Sequence, residues 1–544
     1  MRNLYEKECG GAVRSESKYP ISPCGLCVAM QRRSASGRRH NSDLTENGGN
    51  MMKRWIAGIL VLVMLLSCII GCGKTEVTET TAQVEATNPV ITAEGEETEV
   101  TIPAQTEQPS LQVEANFDCD FNILCWGKTS DKYTNYLDIH AETINGSILN
   151  DAVYNRNILL EEKFGIRIFA QESGKVATVE TAVNAGDNTY STVMFGMVDA
   201  MSLAQRGMLL DTENMVDIHM DMPWWNSELQ DSLTVAGRSF VLMGDMNMQQ
   251  WTQNALVYFN KRIAAENQIE DLYTLVRDKK WTMDKLAEYS TRIYSDLNGD
   301  SIADEMDQYG SVFSNFAVPC LLYGAGITFV SRDANGDLEF GSQEMLYDAY
   351  EKVLEYCLDP TTLYTDLPQY TSRRADISWD SFIGGRSLFL IEKFDIFTKL
   401  QQMDDMYGLL PIPLLDETQA EYHTWTHNSH GATTVVPVSA VDDLEMISII
   451  LDDMAYYSMK EVRPAYYENV LQRKLSQDQE SSDIVPIIVD GVTYDIGCVV
   501  LTMDAAMRTA VDDGRSSVVA LMQAYQKQMQ KKLDNLTEVF EKLE

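Results

Sequence analysis

Apolar positions over residues 117–544 switch between two periods, and the switch repeats. Phe121-Asn-Ile-Leu-Cys-Trp126 reads as a short apolar strand. Over 145–164, Ile148, Leu149, Val153, Ile158 and Leu159 recur at helical spacing, and Gly165 ends the helix. A strand at 166–169, a helix at 176–185 and a strand at 191–197 follow. This βαβ alternation predicts an α/β fold with a mostly parallel, helix-covered sheet. Farther along, 255–259 reads as a strand, Thr282 as a helix N-cap, and 343–358 and 446–459 as helices. An amphipathic helix over 516–543 closes the chain. Asp333-Ala-Asn-Gly-Asp337 reads as a hairpin turn between Thr328-Phe-Val330 and Leu338-Glu-Phe340. No solenoid repeat is present. The 428 residues from Phe117 exceed one ordinary core, so two domains are expected.

A different pattern precedes these elements. Met51-Met-Lys-Arg54 leads into an apolar run over 55–67 and then Cys68-Ile-Ile-Gly-Cys72. Basic residues followed by an apolar run too short to span a bilayer comfortably predict an export signal at 51–71 rather than a membrane span. An uncleaved helical anchor is the alternative, and no basic stop-transfer cluster supports it. Gly71 at −1 and Ile69 at −3 resemble the lipobox of bacterial lipoproteins, which makes Cys72 the acylated first residue of the mature chain. Leu65-Leu-Ser-Cys68 also fits, and Cys72 is favoured because its apolar region is fuller. Residues 1–50 lie upstream of a signal that should begin the chain. Glu46-Asn-Gly-Gly-Asn50 can be encoded by a purine-rich string of the kind that binds ribosomes, so translation is expected to start at Met51 or Met52; a disordered extension is the other reading.

Charge narrows the partners. The first 54 residues carry 10 basic and 5 acidic side chains; from Trp55 onward 33 basic and 76 acidic remain, a net charge of −43. That balance excludes nucleic acid and disfavours anionic lipid, leaving the acyl group to hold the protein at the outer face of the membrane. Residues 73–116 contain nine Glu, nine Thr, one Lys and no aromatic residue, so with Cys72 they read as a lipidated, disordered acidic tether. A flexible chain of this length reaches roughly 35 Å. Five cysteines follow Cys72, namely Cys119, Cys125, Cys320, Cys357 and Cys498, an odd and dispersed set that argues against a disulfide framework.

Ordered landmarks resemble the extracellular solute-binding proteins of ATP-driven sugar importers, relatives of the maltodextrin-binding protein. After the lipobox and tether come Cys125-Trp-Gly127, Met222-Pro-Trp-Trp-Asn226, Gly244-Asp245, and Val257-Tyr-Phe-Asn-Lys261 leading to Trp281-Thr-Met-Asp-Lys-Leu286. Then follow Asp296-Leu-Asn-Gly-Asp300 before Gln308-Tyr-Gly310, Phe382-Ile-Gly-Gly-Arg-Ser-Leu388, Tyr407-Gly-Leu-Leu-Pro-Ile-Pro413 and Arg508-Thr-Ala-Val511. The resemblance implies a two-lobed periplasmic-binding-protein-like fold of type II, closing by hinge motion on a ligand in the interlobe cleft. It assigns 117–255 with 388–435 to the first lobe and 256–387 with 436–544 to the second. It also implies a carbohydrate ligand, expected to be an oligosaccharide, a permease as partner, and a monomer that is no enzyme. A surface glycan-adhesion or sensing lipoprotein is the alternative, with a glycan-active enzyme ranked behind it.

Sugars are held by flat aromatic faces together with carboxylate, amide and main-chain groups. On that basis the expected ligand contacts are Trp126, Lys128, Phe195, Asp245, Trp251, Tyr258, Trp379, Tyr422 and Trp425, with Trp224 and Trp225 read as packing. Asp296, Asn298, Asp300, Asp304 and Asp307, with the Ile302 carbonyl, stand at calcium-loop offsets, which predicts a structural Ca²⁺ site. Ser301 in the usual glycine position and Asp307 in place of Glu should weaken it. His423, His427 and His430 stand at i, i+4 and i+7, but the sequence between them reads as loop, favouring polar cleft contacts over a metal. No local signature of a catalytic nucleophile, zinc protease or phosphate loop is present, and no catalytic cofactor is expected.

Overall fold

The computed structural model describes residues 115–543 apart from 127–135, 174, 342–343, 367–373, 428–431, 468–477 and 516. Its strands are β1 (Cys119–Cys125), β2 (Ile166–Glu172), β3 (Thr192–Gly196), β4 (Ala255–Asn260), β5 (Tyr309–Phe313), β6 (Val330–Arg332), β7 (Leu338–Phe340), β8 (Thr362–Tyr364), β9 (Ser387–Lys393), β10 (Tyr407–Leu410), β11 (Thr424–Trp425), β12 (Ala432–Val435) and β13 (Val492–Thr493). They form two main sheets, ordered β12-β3-β1-β2 and β10-β4-β9-β5-β8. β1 pairs in parallel with β2 and β3, while β12 closes that sheet antiparallel to β3. In the second sheet β9, β5 and β8 are parallel, and β4 runs antiparallel between β9 and β10. The fold is mixed α/β with two lobes, each built on one sheet. Among the described residues no helix is long and apolar enough to cross a membrane.

Local chemistry explains most element ends. The helix Ile148–Phe164 stops at Gly165, whose φ of 63° places it in the left-handed region while its N–H bonds Glu161 O. A Cβ there would sit 1.9 Å from Asn116 Oδ1, so glycine is required twice over. Thr282 caps the helix Met283–Ile293 by accepting from Lys285 N at 3.3 Å. β6 and β7 pair antiparallel across the Asp333 turn, where Asp333 Oδ1 accepts from Asn335 N and Asp337 N. The terminal helix Val518–Glu541 buries Leu521, Met522, Met529, Leu533, Leu536 and Phe540. On its polar side Gln526 and Gln530 bond the main chain of β7, covering an edge that would otherwise present unpaired groups.

The sheets divide the chain differently from the expected lobe boundaries. Within 388–435 only β12 joins the first sheet; β9 and β10 belong to the second. Within 436–544 the helix Leu444–Tyr457 packs Ile447, Ile450, Leu451 and Met454 into the first-lobe core with Phe121, Ile123 and Leu160. Periodicity reports that a segment is buried but not against which sheet. The chain therefore passes between lobes over 243–254, after 424–427 and after 463–467. Isolated bridges Leu242–Thr434 and Asn254–Thr426 hold the first two crossings side by side.

Candidate functional site

The three crossings carry an unusual concentration of polar side chains. On the first, the short helix Gln249–Thr252 holds Trp251, 3% exposed, against Tyr466 and Tyr467 of the third crossing, with ring centroids 5.9 and 6.3 Å apart. A π-helical turn at Ser458–Val462 precedes Arg463 and these tyrosines, a local irregularity that often re-aims side chains at functional sites. Arg463 donates to Asp245 Oδ2 at 3.3 Å. Burial pushes the Asp245 carboxyl up to about 6 against the opposing pull of Arg463 and of a hydrogen bond from Trp251. Trp225, Asp245, Trp251, Asn254, Arg463 and Tyr494 line a cavity of about 250 Å³.

Next to this cavity the first crossing meets the end of β9. Gln253 Nε2 donates to Asp395 Oδ2 at 3.1 Å, Lys393 Nζ donates to Gln253 Oε1 at 3.0 Å, and Lys393 faces Asp395 at 3.2 Å. Glu392 is buried and accepts from Trp379 Nε1 at 3.1 Å. The Lys399 ammonium covers the Trp379 ring, 4.1 Å from its centroid. On the second crossing Trp425 is enclosed by Phe316, His427 and Arg508, at 5.4, 5.2 and 5.9 Å from its ring. Among the described residues Asn254, 0% exposed, has no partner for either amide atom; the Thr424 and Thr426 hydroxyls and Trp425 Nε1 are likewise buried without one. Each such group costs about 1–3 kcal/mol if left dry. Together they mark a place built for water or a ligand.

The expected ligand residues therefore separate. Asp245, Trp251, Trp379 and Trp425 stand on or beside the crossings. Trp126 ends β1 and stacks on Phe195 at 6.2 Å and 10°, so Phe195, fully buried, backs Trp126 from the first-lobe core. Tyr258 does not face the cleft as expected. It is 1% exposed, its hydroxyl donates to Lys393 O at 3.1 Å, and it packs on Phe382 and Tyr407. β4 is an inner strand buried along all six residues, as in helix-covered sheets. Tyr422 is also core, donating to Val276 O at 3.2 Å. Trp224 and Trp225 donate to buried Asp452, at 3.2 and 2.6 Å. Lys128, His430 and Cys72 lie outside the described residues. Sequence reasoning missed Gln253, Asn254, Glu392, Lys393, Arg463 and Tyr466. A signal existed for four of them: polar pairs stand immediately before apolar β4 and at the end of apolar β9.

The 296–307 loop lies apart from this cluster. Asp296 accepts from Gly299 N at 2.7 Å and Ser301 N at 2.9 Å, Asp300 from Ile302 N at 2.8 Å, and Asp307 from Leu297 N at 3.2 Å and Asp304 N at 3.3 Å. Ser301 occupies the left-handed region at φ 63°, where a glycine would be unstrained. A cation would have to share these carboxylates with main-chain donors. Among the described residues no group of three or more His, Cys, Asp or Glu is placed to hold a metal, His423 and His427 included. A groove of about 290 Å³ between the helices Met283–Ile293 and Glu344–Leu358 includes Asp284 and Lys352, which pair at 2.7 Å.

Burial pushes the Glu392 carboxyl from its ordinary 4.5 up to about 7, against the pull of Lys393. An acid whose pKa is raised on folding contributes stability that is fully present below its unfolded value and is lost as pH rises through its folded value. Glu392→Gln should therefore gain on wild type between about pH 4.5 and 7, by a relative shift on the order of 3 kcal/mol. Urea melts of both proteins at several pH values measure it. A pH-independent difference would show that Glu392 ionises normally.

Comparison with known proteins returns structures only. No protein-family model matches the chain, and no curated protein matches it. Its solved structural neighbours include many sugar-binding proteins of ABC transporters. One is the ABC substrate-binding protein Lmo0181 from Listeria monocytogenes in complex with cycloalternan, at TM-score 0.49 and 12% identity, covering 77% of this chain and 98% of that one. Another is the maltose/maltodextrin-binding domain MalE from Bdellovibrio bacteriovorus bound to maltotriose, at 0.44 and 13%, covering 78% and 98%. A third is the GacH receptor of Streptomyces glaucescens, solved unliganded and with acarbose, at 0.46 and 10%, covering 79% and 99%.

Proposed function

We propose that the protein is a membrane-tethered receptor that binds a carbohydrate between its lobes and delivers it to an ATP-driven importer without chemical turnover. The observation that carries this proposal is the set of buried, unpartnered polar atoms on the interlobe crossings, set among tryptophan and tyrosine rings. Hydroxyl-rich rings offer the donors, acceptors and apolar faces that such a lining needs. Crossing segments are also where hinge closure would convert binding into a shape a permease can read. A ligand that binds only the folded state raises the melting temperature by mass action, so a thermal-shift screen against glycans tests the proposal directly. At least one saccharide should raise the melt and be recovered intact. Hydrolysis of the glycan would make the protein an enzyme, and deletion of its gene without loss of sugar uptake would remove the importer.

Export and acylation at Cys72 belong to the same proposal. Mass spectrometry of native protein should find a diacylated Cys72 at the N-terminus and no peptide from 1–50; acylation at Cys68 would move the cleavage site. On the spacing of its oxygen ligands alone, the 296–307 loop is proposed to bind Ca²⁺ for stability rather than for ligand capture. Chelator should lower the melting temperature, and Asp300→Ala should abolish that response. An unchanged melt in chelator would leave the loop held by its main-chain bonds only.

A further inference from the structure

Several charges around the cleft are already paired within the protein. Arg463 faces Asp245 at 3.3 Å, Lys393 faces Asp395 at 3.2 Å, and Arg508 pairs with Asp504 one helical turn away. Glu392 takes the Trp379 indole N–H, and Lys399 rests on the Trp379 ring. Among the described residues lining the cavity, what lacks a partner is neutral, namely both ends of the Asn254 amide; on the second crossing two threonine hydroxyls and the Trp425 indole N–H are also unpartnered, as is Arg508 Nε beside that indole. Asn254 is fully buried and lines the 250 Å³ cavity, and its bridge partner Thr426 stands beside it. A primary amide offers two donors and an acceptor in one plane. That pattern complements vicinal hydroxyls, or a hydroxyl next to a ring oxygen. The cavity is smaller than the roughly 300–1,000 Å³ of sites for drug-sized ligands, so it suits a single small ring.

We infer that Asn254, supported by Thr426 and Trp425, is the specificity-determining residue of the cleft and selects an uncharged, hydroxyl-bearing ring, so that the protein takes neutral saccharides and rejects uronates. The inference rests on the carbohydrate proposal and narrows it. A carboxylate entering the cavity meets Glu228 and Asp245 in its lining, while Arg463 there already holds Asp245. It would lose hydration without gaining a cation. A hydroxyl pair loses less on entry and satisfies Asn254 fully.

The experiment is calorimetric titration of the full protein in detergent. Neutral mono- and tetrasaccharides built on glucose, galactose, mannose or xylose are compared with the mono- and tetrasaccharides of galacturonate, glucuronate and mannuronate. At least one neutral member should bind, and the uronates should bind at least about 100-fold more weakly, as expected where a site leaves polar groups unpaired or like charges apposed. Asn254→Asp keeps the shape but removes the donor and adds a charge, and should weaken the best neutral ligand by at least about 30-fold. Asn254→Ser adds no charge and should weaken it about tenfold, which keeps the test open if the Asp variant does not fold. A uronate binding within tenfold of the best neutral sugar, or a folded Asn254 variant of undiminished affinity, overturns the inference and leaves the carbohydrate proposal standing. Silence across the whole panel overturns that proposal and the inference with it.

Discussion

Asp452→Ala should destabilise the protein by about 3–5 kcal/mol, the cost of breaking a buried polar network from one side. Asp452 sits on the first-lobe helix Leu444–Tyr457 with its carboxylate fully buried. It accepts from His219 N at 3.1 Å, His219 Nδ1 at 2.8 Å, Trp224 Nε1 at 3.2 Å and Trp225 Nε1 at 2.6 Å. Alanine leaves both indole N–H groups and the His219 main chain without an acceptor, and opens a small void under two large rings. Asp452→Asn keeps the volume and one acceptor oxygen, so its loss should be smaller, about 1–2 kcal/mol. Urea unfolding of the two variants measures both values. If alanine costs no more than asparagine, the carboxylate is not what orders the Pro-Trp-Trp-Asn segment.

Trp251→Ala should lower stability and ligand affinity together. Trp251 is packed on Tyr466 and Tyr467 and hydrogen-bonds Asp245, so truncation removes a large buried side chain, at about 3–5 kcal/mol. The same ring lines the cavity beside Asn254, and loss of a buried aromatic anchor weakens binding by a few kcal/mol. Trp251→Phe keeps most of the apolar volume while deleting the indole N–H. Its stability should lie between those of wild type and alanine, with Asp245 losing one donor. Melting temperature and affinity for the best ligand of the glycan screen, measured on the same preparations, separate the effects. Undiminished affinity in a strongly destabilised Trp251→Ala protein would make this residue core and nothing more.

Much of the site was hidden for a simple reason. The tryptophans and Asp245 stand out by residue type, and Trp251, Trp379 and Trp425 do gather at the crossings. Tyr258 has the same chemistry but is core, because a strand paired on both sides and covered by helices leaves no face for solvent, and Tyr422, outside any strand, is buried with its hydroxyl spent on Val276 O. Asn254 escaped notice because a single asparagine before a strand is ordinary. Its meaning comes from Thr426, 172 positions later in the numbering, which the bridge sets opposite it.

The sequence by itself determined the local elements: the helix ending at Gly165, the cap at Thr282, the Asp333 hairpin and the amphipathic terminal helix, each set by short-range sterics, capping and periodicity. It also carried the α/β alternation that a two-sheet fold requires. Only the tertiary structure decided which sheet each later element joined, since burial gives β9, β10 and the helix Leu444–Tyr457 apolar patterns that do not name a partner. The tertiary structure likewise decided which charges neutralise one another and which polar atoms are left over. Those pairings join residues as far apart as Asp245 and Arg463, and desolvation, the force that makes an unpaired group matter, exists only once the chain has closed around it.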